Sequence, residues 1–187
     1  MLKDIANDFS PETRSALESL EFVEAVKVAF QAKRRFWEED AAIYGGISWT
    51  DSDITQVWYP CNGYHRPRGV VVGAYIWSRK PGLRYTAMSG PERLKAALVE
   101  GEALHPGYAG ELDCGISRAW LNVPFQKGGW PRRNPDAAAA LRRSDGPFHF
   151  AGDQVTALPG WQEGALLAAH AAAQAIDTRA GHPHQPL

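Results

Sequence analysis

The chain has 187 residues, of which 44% are hydrophobic and 22% charged, with a formal net charge of −1. That length supports one sizeable core, burying roughly 70% of the unfolded surface. The near-neutral charge excludes an electrostatic case for nucleic acid or an anionic membrane, and no apolar run of about 18 residues marks a membrane span.

The opening stretch MLKDIANDFSPETRSALESLEF is amphipathic and acidic, unlike a signal peptide, so a soluble, cytoplasmic chain is the default expectation. Ser10–Pro11–Glu12 is a helix-start signal, a Ser cap followed by Pro at the first helical position, and Leu17, Leu20 and Phe22 lead out of that helix. Glu24 to Phe30 alternates and is rich enough in β-branched residues to predict a strand, with Lys27 between Val26 and Val28 on the face of Ala25 and Ala29. Ile43 to Trp49 and Thr55 to Pro60 predict an antiparallel pair around the polar turn Asp51–Ser52–Asp53. The apolar run Gly69 to Trp77 fits a central strand.

Pro91 to Leu104 predicts a helix capped by Ser89 or Gly90, with Leu94, Ala97 and Leu98 as its buried stripe. Gly115 to Trp120 reads as another strand, and Asn134–Pro135–Asp136 starts a short helix over Ala137 to Leu141. Phe148–Phe150–Ala151 predicts a short strand running into Gly152 and Asp153. After a loop, Pro159–Gly160–Trp161–Gln162–Glu163–Gly164 opens an Ala/Leu-rich helix. Strands with helices interspersed define an α+β class on a mixed, largely antiparallel sheet with flanking helices. The tail 179–187, holding His182, Pro183, His184 and Pro186, is expected to be disordered.

Cys61 and Cys114 form no C-x-x-C pattern; one bridge stays open, and the simpler expectation is two free, largely buried thiols. His105, His149 and His170 lack zinc-like spacing, so no metal is expected. Arg132–Arg133 and Arg142–Arg143 read as a solvated face. The stretch from Phe148 to Ile176 carries more chemistry. A Gly-Asp turn and a helix N-terminus with an aromatic in its first turn suit a planar, negatively polarised ligand, because free N–H groups and the positive helix end face it.

That stretch resembles the last strand and helix of the flavin-containing amine oxidases, the monoamine oxidase and L-amino-acid oxidase superfamily. The likeness extends to A-V-K-V-A-F-x(5)-F-W around Lys27 and Phe36–Trp37, to Lys127–Gly128–Gly129–Trp130 with Trp120 ten residues earlier, and to Gly160–Trp161–Gln162–Glu163–Gly164–Ala165. No G-x-G-x-x-G is present, so the resemblance covers the C-terminal part of that family's chain and the sequence reads as a piece of it. It implies a substrate-binding part over 1–125, a flavin-contacting segment over 126–178 that belongs to the FAD domain, and the tail. The absent dinucleotide-binding part would come from a separate polypeptide, or an exposed face would support self-association.

The same resemblance assigns roles. Lys27 would hold a water near flavin N5, and desolvation between valines would lower its pKa; the alternative is an edge-strand lysine reaching solvent. Trp130 and Trp161, with Gly160, would flank the substrate path as an aromatic cage; the alternative is two core tryptophans in a chain of seven. Gly152 and Asp153 would hold the ribityl chain, and Gln162 would offer its N–H to the pyrimidine edge. Gly160, Glu163, Gly164 and Ala165 would complete the flavin contact, although turn geometry also accounts for the glycines. Gly129 stands where covalently flavinylated members carry cysteine, so noncovalent FAD is implied. The implied reaction is oxidative deamination of an L-amino acid with hydrogen peroxide formed from O₂. A monoamine or polyamine oxidase piece and an inactive, truncated fragment or interaction module remain alternatives.

Overall fold

Alternation along the sequence VKVAFQA becomes the central strand of the molecule's sheet. In the computed structural model, which describes residues 8–181, β1 (Val26–Ala32) buries Val26, Val28, Phe30 and Ala32 on one face. The other strands are β2 (Gly46–Trp49), β3 (Gln56–Tyr59), β4 (Gly69–Ile76) and β5 (Leu112–Ala119). They form a five-stranded sheet in the order β2-β3-β4-β1-β5. The expectation of a mixed sheet is corrected: every pairing among the described strands is antiparallel. The central placement predicted for residues 69–77 is observed, whereas β1 is not an edge strand.

The helices are α1 (Pro11–Glu18), α2 (Phe36–Glu39), α3 (Arg79–Ala87), α4 (Gly90–Gly101), α5 (Pro135–Leu141) and α6 (Gln162–Arg179). Local sequence sets their starts. Ser10 Oγ accepts from Thr13 N at 3.2 Å, and Asn134 Oδ1 accepts from Ala137 N at 3.1 Å. Ser89 and Glu92 form a reciprocal capping box on α4. Helix α3 was not foreseen, and it brings Tyr85 into the core. Ala97 is fully buried, and Leu94 and Leu98 pack partly against that core, while Arg93 is buried beside them.

The contacts divide the described chain into two compact units, Glu24–Gly129 and a second that joins residues 8–23 to residues 130–181. A plain cut at residue 125 therefore does not describe the packing: α1 belongs with α5. In the sheet unit, α3 and α4 lie on the face of Val28 and Ser117, whose Oγ accepts from Arg93 Nη1 at 3.2 Å. Arg93 also donates to Tyr85 O and Met88 O, closing the C-terminal end of α3.

In the helical unit the core is Ala16, Ala137, Leu141, Val155 and Ala168. Its chain crossing is fixed by Val23 N donating to Trp130 O at 2.8 Å and Arg132 N to Glu21 O at 2.7 Å. The strand expected at 148–151 does not form. Phe148 makes one isolated bridge to Asp145, and no described strand lies beside the segment to complete a ladder. Both cysteines are exposed, correcting the expectation of buried thiols. The part of the expected tail from residue 182 onward lies outside the described residues.

Candidate active site

On the sheet unit, the face opposite α3 and α4 carries Lys27. Register places it against Tyr75 of β4 on one side and Arg118 of β5 on the other. The Lys27 ammonium stands 4.5 Å from the centroid of the Tyr75 ring, a cation–π contact. Lys27 is exposed, so the desolvation expected from its valine neighbours is not observed within this chain. Val26 and Val28 turn to the covered face, as alternation requires, and do not enclose it.

The Tyr75 ring lies 5.4 Å from that of Trp58, and burial raises the Tyr75 hydroxyl above its ordinary pKa of 10.0. The Trp58 indole N–H is held by Gln56 Oε1 at 2.6 Å. Tyr75, Trp58 and Arg118 escaped the sequence reading. Alternation could have placed each on a strand face, but the register that aligns them is a three-dimensional property.

On the helical unit, the loop 152–161 and the start of α6 bring several predicted residues together. Gly152 has φ +132° and Gly160 φ +83°, backbone states that suit glycine. Asp153 Oδ2 accepts from Gly160 N at 2.8 Å, so the carboxylate fixes the turn that presents Trp161. A Cβ on Gly160 would lie 3.2 Å from Trp130 Cδ1, which shows that the Trp130 ring rests on the turn immediately before Trp161. The two predicted aromatics thus meet at one place. Trp130 is half-buried and Trp161 is 70% exposed, and no ring contact joins them among the described residues.

Trp161 caps α6 without a side-chain hydrogen bond. Among the described residues, the N–H groups of Gln162, Glu163 and Gly164 find no acceptor, whereas Ala165 N donates to Trp161 O at 3.3 Å. Three free amides at the positive end of an 18-residue helix can oppose a partial negative charge. Exposed Glu163 in the same turn complements the dipole when no ligand does. Gly164 is explained within the chain: a Cβ there would lie 2.3 Å from Leu158 O. Among the described residues no group of His, Cys, Asp and Glu is arranged to hold a metal, and no helix is long and apolar enough to cross a membrane.

Residues 2–177 match the model of the flavin containing amine oxidoreductases, and the chain belongs to that family. It is similar to an L-amino-acid oxidase of Siganus canaliculatus, at 30% identity over 91% of this chain and 34% of that protein. It is also similar to the flavin-dependent L-tryptophan oxidase RebO of Lentzea aerocolonigenes, at 29% identity over 92% of this chain and 38% of that protein. Among solved structures, cyclohexylamine oxidase from Brevibacterium oxydans superposes with a TM-score of 0.73 at 22% identity, covering 92% of this chain and 39% of that one, which shows a shared fold. The chain spans about a third of the length of the relatives it matches.

Proposed function

We propose that this chain is the C-terminal, substrate-side part of an FAD-dependent oxidase that deaminates an L-amino acid, working with a partner polypeptide that supplies the dinucleotide-binding part. The observation that carries the reading is the meeting of Trp130, Gly160 and Trp161 at the uncapped start of α6. The names of the relatives favour an amino acid as substrate. The apolar side chains of Leu166, Leu167 and Ile176, exposed along α6, offer surface for the partner.

The residues present fit the cofactor. The free amides of Gln162, Glu163 and Gly164 would face its electron-rich pyrimidine edge, and Asp153 would offer Oδ1 to a ribityl hydroxyl while Oδ2 holds Gly160. Gly129 stands before Trp130, where the resemblance places a cysteine in the covalently flavinylated members, and this supports noncovalent binding. When bound, FAD supplies the two-electron acceptor for hydride from the substrate Cα and delivers the electrons to O₂, giving hydrogen peroxide. Trp130 and Trp161 orient the amine between their faces and exclude bulk water. Lys27 holds a water through its ammonium, with Tyr75 supporting the aliphatic stem and charge. The imine product then hydrolyses to a keto acid and ammonia.

The test is a visible absorption spectrum of the chain mixed with its dinucleotide-binding partner and FAD, followed by a peroxide assay with L-amino acids. Retained flavin bands and peroxide formation are expected, with turnover falling at least about tenfold, or about 1.4 kcal/mol, in Trp161→Ala. A colourless complex overturns the cofactor assignment. Unchanged turnover in Trp130→Ala and Trp161→Ala overturns the cage.

A further inference from the structure

The arginine pairs Arg132–Arg133 and Arg142–Arg143, a solvated face along the sequence, are divided differently by the fold. Arg133 stands just before the cap of α5 and Arg142 closes its other end. A cavity of about 200 Å³ opens between α5 and the loop 154–159, and Arg132, Arg133 and Arg142 all line it. Asn134, Gln154 and Thr156 are the other polar residues of its wall, and no carboxylate takes part. Arg143 is outside the wall and reaches Glu12 at 3.4 Å.

The nearby acids are turned to other tasks. Asp153 Oδ2 accepts from Gly160 N at 2.8 Å, and Glu21 approaches Arg132 Nε at 3.8 Å. Asp136, although on α5, is not part of the wall. The neutral donors are spent within the chain. Gln154 Nε2 donates to Ala151 O and Thr156 Oγ1 to Asp153 O, both at 3.1 Å, and Asn134 Nδ2 donates to Ser19 Oγ at 3.2 Å. What the cavity offers a ligand is therefore its guanidinium groups.

Such a cavity selects by charge and shape. A carboxylate brings one charge and two oxygens, too little to balance two guanidinium groups. A phosphate group brings about −1.5 to −2 at pH 7 and three strong acceptor oxygens, enough to engage two planar forks at once. Beside this cavity lies a second, of about 240 Å³, which shares Arg142, Thr156 and Ala157 with it. Apart from Ser144 and His149, the rest of that second wall is apolar, with Phe150, Val155 and Leu167 its largest residues.

We infer that the cavity beside α5 is an oxyanion site for a phosphate group held by Arg133 and Arg142. The group comes either as inorganic phosphate or as a small phosphomonoester whose organic part enters the adjoining apolar cavity. A bound phosphate ties both ends of α5 to the loop 154–159, which leads into the Gly160–Trp161 turn. Asp153, Gly160 and Trp161 line neither cavity, and the inference stands or falls independently of the oxidase reading.

The probes are inorganic phosphate, phenyl phosphate and acetate, titrated at constant ionic strength into the isotope-labelled full chain and followed by NMR. Phosphate is expected to give saturating shifts at Arg133, Arg142, Gln154 and Thr156, and to bind at least about tenfold more tightly than acetate. Arg133→Gln and Arg142→Gln should each weaken phosphate about tenfold, the loss of one charge-assisted contact, while Arg143→Gln changes it less than about twofold. All three arginines are exposed, so each variant should keep the wild-type spectrum elsewhere. Tighter binding of phenyl phosphate, with added shifts at Phe150 and Leu167, supports the site with an ester as its ligand. Equal binding without those shifts supports it with the free ion. Shifts that do not saturate or that lie on other surfaces, acetate binding as tightly as phosphate, or equal losses in all three variants would overturn the site.

Discussion

Replacing Gly164 with alanine separates two explanations of the glycine in the G-W-Q-E-G-A segment. If the glycine serves only close approach of a cofactor, Gly164→Ala in the flavin-free chain should be neutral or favourable, since alanine is better in a helix by up to about 1 kcal/mol. The structure argues otherwise. A Cβ at this position would lie 2.3 Å from Leu158 O and 2.7 Å from Thr156 Oγ1. Neither atom is free to withdraw. Thr156 Oγ1 donates to Asp153 O at 3.1 Å and accepts from Leu158 N at 3.1 Å, so the loop is tied to itself. Overpacking of this kind costs about 1–3 kcal/mol, which exceeds the propensity gain. The net expectation is a loss of about 1–2 kcal/mol, or a fall in Tm of about 2–8 °C for a chain of this size. Thermal unfolding of the flavin-free chain, followed by circular dichroism, measures it. A variant melting at or above the wild-type temperature would refute the packing account and return Gly164 to the cofactor.

Two further perturbations address the covered side of the sheet. His105 is half-buried, its Nε2 2.6 Å from Tyr59 Oη, and burial holds it below its ordinary pKa of 6.5 although Asp40 draws it upward. The unfolded chain therefore binds a proton there first as pH falls, so stability present above about pH 6.5 is lost as pH drops through the folded pKa. Urea midpoints should fall between pH 7.5 and 5 by less in His105→Gln than in the wild type, and equal pH dependence would refute the role. Among the described residues the buried Tyr108 hydroxyl has no hydrogen-bond partner, and burial pushes its pKa up. Tyr108→Phe should be neutral or stabilising by up to about 1 kcal/mol in urea unfolding, because an unsatisfied polar group is removed; a loss of more than about 1 kcal/mol would show that the hydroxyl has a partner.

Where structure is local, the sequence showed it. Ser10, Ser89 and Asn134 announced three helices because each cap satisfies N–H groups within three residues of itself. Helix α3 was not foreseen, and its sequence carries Pro81 and Gly82, two residues that disfavour a helix interior. Pro81 occupies the first turn, where its missing N–H costs nothing, and Gly82 admits Glu24 O, which a Cβ would approach to 2.3 Å. Phe148 to Ala151 failed in the opposite sense. Its residues suit a strand, but strand formation depends on a neighbour, and the described chain offers only the Asp145 bridge.

The same distinction separates the two groups of candidate residues. On the helical unit they are contiguous: Gly152, Asp153 and Gly160 to Gly164 are close in sequence, so turn chemistry and a helix start suffice to recognise them. On the sheet unit the open face is built from β3, β4, β1 and β5, and no sequence spacing relates Trp58, Tyr75, Lys27 and Arg118. Lys27 between two valines suggests desolvation along the sequence, with a solvent-reaching lysine as the alternative. Burial was decided instead by α3 and α4, which cover one face and leave Lys27 on the other. Arg118 joined the group only when register set it against Lys27. Substitutions on alternate residues of these strands should therefore change turnover of the flavin-loaded enzyme. Substitutions in the contiguous turn should change flavin retention first, and measuring both properties across Tyr75→Ala and Asp153→Asn would show whether the two groups separate in this way.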